Sequence, residues 1–263
     1  MLIGIITGSG TYALPGFEGA QSRDVDTAFG SVAVTSGEFA GADVLHVSRH
    51  LPGHPRLSNH VTHQANISAL RDSGVDAILA VTVCGAVDPG VPLGSLIAFD
   101  DLHFLGNRLP DGSLCTLQTE PGVPGRSHWV YGKPFSEQLR NALRGGAADA
   151  GFACRADGCY GHVDGPRFNT AAEIRTLAQA GVTAVSQTGG PETVLAGEAG
   201  IPYALLGYAT DYANGVQEED TAIEELMRLI EASKTVLAST LTAAVARLGD
   251  EPIDQVGSHI VMG

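Results

Sequence analysis

The stretch IPYALLGYATDYANG, residues 201–215, indicates the fold class more clearly than any other part of the sequence. Its apolar run from Ile201 to Tyr208 is typical of a strand that is buried on both faces, as parallel strands are. The run ends in Asp211, so a carboxylate follows the strand where ligands of open α/β sheets bind. The pattern predicts an acid with a functional task, although an Asp that caps the next loop gives the same pattern.

Similar apolar runs recur along the chain and alternate with helical patterns. The predicted strands are 2–6, 32–34, 44–47, 77–83, 96–99, 184–186 and 203–208, and the predicted helices are 59–73, 134–150, 170–180, 191–199 and 218–248. Thr170 stands three residues before Glu173, which is the signature of a capping box. The alternation predicts an α/β fold with a mixed, mostly parallel twisted β-sheet flanked by helices. No linker divides the chain, so we expect one domain over residues 1–263.

The composition excludes some classes of partner. The chain has 263 residues, is 44% hydrophobic and carries 15 Lys and Arg against 29 Asp and Glu, a formal net charge of −14. Such a charge repels nucleic acid and anionic membranes, so we expect neither as a partner. The start, MLIGIITGSG, lacks the features of a signal peptide, and we find no window of about 20 apolar residues that could span a membrane. We therefore expect a cytoplasmic protein.

Cysteine and histidine spacing does not favour a metal site. The four cysteines form no CxxC pair, and free thiols are the expected state in a cytoplasmic protein; they are Cys84, Cys115, Cys154 and Cys159. Histidines at 50, 54, 60 and 63 suggest metal by their number, but a zinc site usually adds Cys or carboxylate ligands at defined spacing. We expect no metal.

Three segments that follow predicted strands are suited to an anion. GIITGSG, residues 4–10, brings glycines and Ser9 to the end of a strand, although a plain turn has the same sequence. SRHLPGHPRLSNH, residues 48–60, concentrates Arg and His in a chain poor in bases, and Arg can bind an oxyanion through two parallel hydrogen bonds. VSQTGGPE, residues 185–192, leads from a strand into a helix N-terminus, which favours an anion.

Two further segments are suited to a planar ligand. VTVCGAVDPG, residues 81–90, ends a strand with the small residues Cys84 and Gly85, which let a ligand approach the backbone or simply pack tightly. VDGPRFNTAAE, residues 163–173, places Phe168 just before a helix cap. That ring can stack on a base or pack against its own helix. Because all five segments follow strands, they are expected to converge at one edge of the sheet.

The same segments resemble the trimeric purine nucleoside phosphorylase family, most closely its methylthioadenosine phosphorylase branch, over about residues 2–245. The resemblance is carried by IITGSG, SRHLPGH, HQANISAL, TVCGAV, DGPRF, QTGGPE, VLAGEAGIPYA and ATDY. It implies a nucleoside phosphorylase-like fold and a homotrimer, with pairing of trimers left open. It also implies the reversible phosphorolysis of a purine nucleoside, a pentosyl transfer in which inorganic phosphate is the co-substrate and no cofactor takes part.

The resemblance implies a role for each residue that matches a motif. The implied phosphate-binding residues are Ser9, Arg49, His50 and Thr188, with the backbone near Val83. His54 matches a histidine near phosphate and sugar, and Asp211 an acid that faces purine N7 and the group at C6, so these two are the implied catalytic residues. The implied base- and ribose-binding residues are Phe168, Asn169, Gln187, Cys84, Gly85 and Asp211. His128 matches a histidine that reaches the 5′ pocket of a neighbouring subunit.

Asp211 favours adenine over hypoxanthine, because a 6-aminopurine offers N6–H to a carboxylate and relatives that prefer oxopurines place Asn there. Departures from the branch leave the nucleoside open: Ala213 stands where a second acid is expected, Gln187 replaces a methionine, Asn169 a hydroxyl residue and Gly189-Gly190 bulkier residues. We expect phosphorolysis of S-methyl-5′-thioadenosine or a related 5′-modified adenosine. The alternatives are a 6-oxopurine or methylthioinosine phosphorylase, an inactive nucleoside-binding protein, and a hydrolase in which water replaces phosphate.

Overall fold

The computed structural model describes residues 1–9, 11, 14–17, 20–249 and 251–262. Its strands, numbered in chain order, are β1 (Leu2–Thr7), β2 (Gln21–Thr27), β3 (Gly30–Phe39), β4 (Ala42–Ser48), β5 (Ala77–Ala86), β6 (Leu96–Ala98), β7 (Asp101–His103), β8 (Ser127–Val130), β9 (Cys154–Arg155), β10 (Cys159–His162), β11 (Val182–Ser186), β12 (Tyr203–Tyr212) and β13 (Ser258–Val261). Its α-helices are α1 (His63–Asp72), α2 (Glu137–Asp149), α3 (Ala171–Gln179), α4 (Gly189–Glu198) and α5 (Ile223–Arg247).

Eleven of the described strands form one mixed sheet. The path runs β2-β3-β4-β1-β5-β11-β10-β7, while β12 pairs with β5 and β6, and β6 pairs with β9. The pairs β1–β4, β1–β5, β5–β12, β6–β9, β7–β10 and β10–β11 are parallel. The antiparallel pairs are β2–β3, β3–β4, β5–β11 and β6–β12. The expected α/β fold with a mostly parallel sheet is confirmed.

Strand β5 is the centre of the sheet and explains why its sequence is apolar without alternation. Ile78 and Ala80 belong to one core cluster, which includes residues of α1 and α4. Leu79 and Val81 belong to a second cluster, with residues of α2 and α5. Because successive side chains of a strand point to opposite faces, both faces of β5 are buried. Near its carboxyl end β5 leaves β1 and pairs with β11 and β12, which brings three strand ends together.

Local signals predicted some helix starts well and one poorly. The capping box at Thr170 and Glu173 is present in α3. Helix α5 was expected from residue 218 but begins at Ile223. The reason is tertiary: the Thr221 hydroxyl accepts a hydrogen bond of 3.0 Å from the backbone N–H of Tyr212, which ties the preceding segment to β12.

One helix corrects an expectation about membranes. By length and composition alone, Ile223–Arg247 is long and apolar enough to cross a bilayer, whereas the sequence was expected to hold no such window. Half of its most apolar window is buried inside the fold. Leu237 and Leu241 of this helix pack with Leu139 and Leu143 of α2, as expected of a core helix.

The strands that the sequence patterns missed are mostly short or polar. β2 is largely exposed, and β9 has only two residues. β8 lies in the Gly- and Pro-rich excursion predicted over residues 103–133 and pairs with β13 in a separate two-stranded sheet. These strands depend on a distant partner and carry little apolar periodicity of their own.

Candidate active site

A cavity of about 260 Å³ opens where β5, β11 and β12 end. It is lined by Ser9, His50, His54, Leu57, Ser58, Thr82, Val83, Cys84, Gly85, Val163, Pro166, Phe168, Asn169, Ile174, Val185, Ser186, Gln187, Thr188, Thr210, Asp211, Ala213, Asn214, Leu226 and Ile230. The five predicted segments therefore meet in one place. Of the predicted site residues, Arg49 and His128 lie outside this lining.

A bulge in β12 positions Asp211. Ala209 pairs with Cys84 and Asp211 with Gly85, so Thr210 is the extra residue and the local twist increases. The Thr210 hydroxyl donates a hydrogen bond of 2.8 Å to Asp211 Oδ1. A Cβ at Gly85 would lie 3.1 Å from Asp211 Oδ2, so glycine leaves room for the carboxyl group.

The surroundings of Asp211 suit it to proton transfer. Burial raises the pKa of the Asp211 carboxyl group, and the hydrogen bond from Thr210 offsets only part of that rise. A carboxyl group with a raised pKa keeps its proton closer to neutral pH, which a general acid requires. The acid that the sequence placed at a strand end is therefore in an environment that favours its protonated form.

The loop after β4 brings two imidazole rings to the cavity. The rings of His50 and His54 stack with centroids 4.2 Å apart. Nδ1 of His50 lies 2.8 Å from the carbonyl oxygen of Arg56. A carbonyl only accepts, so Nδ1 carries the proton and Nε2 of the neutral ring has a lone pair. Burial, together with the charge of Arg49, lowers the pKa of His50 to about 4, which keeps the ring neutral at pH 7.

Arg49 is not positioned as the sequence suggested. Its Nε and Nη2 groups donate hydrogen bonds of 2.7 and 2.8 Å to the two carboxylate oxygens of Glu192, and Nη1 donates to the carbonyl of Val81 at 2.7 Å. The side chains of Arg49 and Glu192 are both fully buried. The expectation that Arg49 grips an oxyanion by two parallel hydrogen bonds is wrong for this arrangement, because Glu192 already occupies that fork.

Tyr160 occupies the helix N-terminus that was expected to bind an anion. The backbone N–H groups of Gly189 and Thr188 donate to its hydroxyl oxygen at 2.9 and 3.4 Å. A Cβ at Gly189 would lie 3.0 Å from the Tyr160 ring, and one at Gly190 would lie 2.6 Å from His162. The two glycines, which the resemblance did not explain, are thus required by the side chains of β10. The side chain of Thr188 itself lines the cavity.

Gln187 and Asn169 join loops around the cavity. Oε1 of Gln187 accepts a hydrogen bond of 2.7 Å from the Ser58 hydroxyl, and its Nε2 donates to the carbonyl of Arg167 at 3.0 Å. The carbonyl of Asn169 accepts from Asn214 at 2.7 Å. The Gln187 amide therefore links the two walls of the cavity. Phe168, which is 63% exposed, lies at the same rim with one face open to a ligand.

His128 lies elsewhere on the molecule. It is an exposed residue of β8 and lines a second cavity together with Trp129 and Tyr131. A single chain does not bring it to the first cavity. Its predicted contribution to a neighbouring subunit's 5′ pocket stays a prediction.

Sequence reasoning missed several residues of the lining. They are Ser58, Thr82, Ser186, Asn214, Leu226 and Ile230. Leu226 and Ile230 are four residues apart on one face of α5, a spacing visible in the sequence. Thr82 and Ser186 lie inside motifs that were recognised, and only their side-chain direction was missing. Within the described residues, no group of three or more His, Cys, Asp or Glu side chains could hold a metal ion.

Comparisons with known proteins agree with this geometry. The profile of the Phosphorylase superfamily matches residues 2–246. The "S-methyl-5'-thioadenosine phosphorylase" of Danio rerio is 30% identical, over 94% of this chain and 88% of the relative. The "Probable 6-oxopurine nucleoside phosphorylase" of Thermococcus kodakarensis is also 30% identical, over 95% of this chain and 93% of the relative.

A solved structure extends the similarity to three dimensions. Methylthioadenosine phosphorylase from Schistosoma mansoni, in complex with adenine, superimposes with a TM-score of 0.86 at 26% sequence identity. The match covers 95% of this chain and 92% of that structure. With the matched profile and the convergent strand ends, these similarities place the chain in the phosphorylase superfamily, to which it belongs.

Proposed function

We propose that the protein catalyses the phosphorolysis of a 5′-modified adenosine, with S-methyl-5′-thioadenosine as the best candidate. The products are adenine and 5-methylthioribose 1-phosphate. The observation that carries the proposal is the position of Asp211, a half-buried acid in the same cavity as the hydroxyl and imidazole groups of Ser9, His50 and Thr188. One end of the cavity is suited to a leaving base and the other to an oxyanion.

In this reaction a phosphate oxygen bonds to C1′ while the bond from C1′ to purine N9 breaks. The bonding electron pair leaves with the purine, whose N7 takes a proton from Asp211. Donors held in place before the reaction stabilise the charged transition state most effectively. Afterwards the ionised carboxyl group regains its proton from solvent, and no other co-reactant is needed.

The phosphate end relies on hydrogen-bond donors more than on net charge. Arg49 is paired with Glu192, so the charge behind the site is largely compensated. Ser9, Thr188 and His50 line the cavity at this end. Because Nδ1 of neutral His50 is the protonated nitrogen, its Nε2 is an acceptor and can share a proton with phosphate.

The base end favours a 6-aminopurine. An ionised Asp211 accepts a hydrogen bond from N6–H, and a protonated one donates to N7. An oxopurine would set O6 against the carboxylate lone pairs, and such a mismatch costs about 1–3 kcal/mol. Phe168 at the rim supplies a face for stacking.

The side chains of α5 support an apolar 5′ substituent. Leu226 and Ile230, one turn apart, line the cavity. Burying each methyl or methylene group contributes about 0.8 kcal/mol, so an alkylthio group benefits where a hydroxyl group does not. The solved Schistosoma mansoni relative carries the name methylthioadenosine phosphorylase, which agrees with this choice.

The second candidate is a 6-oxopurine nucleoside phosphorylase, the printed name of the Thermococcus kodakarensis relative. A panel of methylthioadenosine, adenosine, inosine and methylthioinosine, each with and without phosphate, separates the candidates. We expect phosphate-dependent release of base, fastest from methylthioadenosine. Faster cleavage of inosine would favour the second candidate, and turnover without phosphate would favour a hydrolase. Binding without any turnover would favour an inactive nucleoside-binding protein.

We also propose that the enzyme acts in the cytoplasm as a homotrimer. His128 shares the second cavity with Leu105 and Tyr131, which are 86% and 40% exposed, and such apolar surface suits a subunit interface. Light scattering should give three times the mass of the chain, and a monomer would contradict the proposal. In the trimer, His128→Ala should change the preference between methylthioadenosine and adenosine. An unchanged preference would remove His128 from the 5′ pocket.

A further inference from the structure

A chain of hydroxyl groups runs beneath the cavity from the N-terminus of α4. It begins at Tyr160, which is fully buried and lies outside the cavity lining. The Tyr160 oxygen accepts hydrogen bonds from two backbone N–H groups, those of Gly189 and Thr188. The Tyr160 proton must therefore go to a different partner. Its side-chain partner is Ser186.

The chain continues to the cavity surface. The oxygens of Ser186 and Thr82 are 3.0 Å apart, and the Thr82 hydroxyl donates to the carbonyl of Val83 at 2.9 Å. Each hydroxyl has one proton. If Thr82 donates to Val83, Ser186 must donate to Thr82, and Tyr160 must donate to Ser186. All three protons then point the same way, from the helix towards the cavity.

We propose that Tyr160 is a positioning residue that fixes the direction of this chain, so that the Thr82 hydroxyl is held as a donor for the phosphate co-substrate. The proposal rests on the proposed phosphorolysis. It assigns a role to Tyr160 and Ser186 that the sequence did not indicate.

The chain is suited to an incoming oxyanion because it need not be rebuilt. The Thr82 proton turns from a neutral carbonyl to a charged oxygen, and hydrogen bonds to charged acceptors are about twice as strong. Ser186 and Tyr160 keep their directions, and hydrogen bonds in a chain polarise one another. The two N–H groups at its start belong to the positive end of α4, which favours the same direction.

Without the Tyr160 hydroxyl, nothing fixes the proton of Ser186. Ser186 can then accept from Thr82 instead of donating, and Thr82 loses part of its tendency to donate to an anion. The competing explanation is purely structural: Tyr160 fills the space beside Gly189 and caps the helix. That explanation predicts lower stability with no change in phosphate affinity, so the two are separable.

The test compares Tyr160→Phe, Ser186→Ala and the double variant by steady-state kinetics, with phosphate and nucleoside varied separately. We expect each single variant to raise KM for phosphate about 5- to 20-fold and to leave KM for the nucleoside within about 2-fold. The double variant should resemble the single ones, because either change breaks the same chain. Ser186→Thr, which retains a hydroxyl group, should restore much of the phosphate affinity.

The matched control is Tyr208→Phe, since Tyr208 is another buried tyrosine but packs in the cluster with α5. It should leave both KM values unchanged. Lower thermal stability of Tyr160→Phe with an unchanged KM for phosphate would overturn the proposal. Effects that multiply in the double variant would also overturn it.

Two outcomes keep the inference separate from the proposed function. If the unmodified enzyme releases base without phosphate, the proposed function fails first. If it needs phosphate but Tyr160→Phe binds phosphate normally, only the hydroxyl chain fails. Should Tyr160→Phe not fold, the pair Ser186→Ala and Ser186→Thr decides: loss with Ala and recovery with Thr support the chain, and equal behaviour refutes it.

Discussion

The carboxylate of Glu192 holds the guanidinium group of Arg49 through two parallel hydrogen bonds of 2.7 and 2.8 Å, in a part of the core where both side chains are fully buried. Tyr203 adds a third hydrogen bond of 3.0 Å to Glu192. Burial would raise the pKa of Glu192, but the charge of Arg49 outweighs it and leaves that pKa below its ordinary value. The pair is therefore ionised, and it fixes the β4 end relative to α4.

Breaking this pair should destabilise the fold strongly. In Glu192→Gln the Arg49 charge stays buried without its counter-ion, and we expect the free energy of unfolding to fall by about 3–5 kcal/mol. Urea unfolding measures it. The control is Glu225→Gln, which breaks an exposed pair with Arg228 and should cost less than about 1 kcal/mol. Similar losses in both variants would contradict the importance of the buried pair.

Asp211→Ala should lower the rate of phosphorolysis of adenine nucleosides by about 10²-fold or more, because it removes the proposed proton donor. Initial rates with saturating phosphate measure it. Asp220→Ala is a suitable control, since Asp220 is exposed and outside the cavity lining. An Asp211→Ala enzyme with near-normal rates on methylthioadenosine would rule Asp211 out as the acid.

Thr210→Val should move the pH dependence of the rate. The Thr210 hydrogen bond stabilises the ionised form of Asp211 and lowers its pKa. Removing that bond should raise the pKa further, so the protonated acid persists to higher pH. We therefore expect the basic limb of the kcat profile to shift to higher pH. A limb that stays in place, or moves to lower pH, would disagree with the assignment.

Buried histidines should make the protein sensitive to acid. Burial lowers the pKa of His63 from 6.5 to about 4. Between these two values the unfolded chain binds more protons than the folded one, so stability falls as the pH drops from about 6.5 to about 4 and is fully present above 6.5. Within the described residues neither ring nitrogen of His63 has a hydrogen-bond partner.

His63→Phe removes one such titration. Urea unfolding at pH 7.5 and pH 5.0 should show a smaller loss of stability on acidification than in the unmodified protein. His46 and His50, whose pKa values burial also lowers to about 4, should account for part of the loss that remains. An identical acid loss in His63→Phe would show that this histidine is not responsible.

Local sequence patterns predicted those features that depend on neighbours along the chain. The apolar run that became β12 and the capping box of α3 are of this kind. They also predicted that strand ends would form the site, because the carboxyl ends of parallel strands share one edge. The patterns failed for β9 and β13, which have little periodicity and exist because a distant strand pairs with them.

The candidate site divides in the same way. That Asp211 ends a buried strand was readable from the sequence, but the bulge at Thr210 that directs it depends on the register with β5. That Arg49 is important was also readable. Its partner is 143 residues away, and only the approach of α4 to the end of β4 brings the two together.

By itself, therefore, the sequence determined the class of the sheet and which strand ends carry chemistry, because burial and periodicity are local properties of the chain. Only the tertiary structure decided which donors remain available to a ligand. Glu192 takes the fork of Arg49, and Tyr160 takes the N–H groups of Gly189 and Thr188. A hydrogen-bonding group can serve only as many partners as it has protons and lone pairs, and that competition is settled by three-dimensional packing.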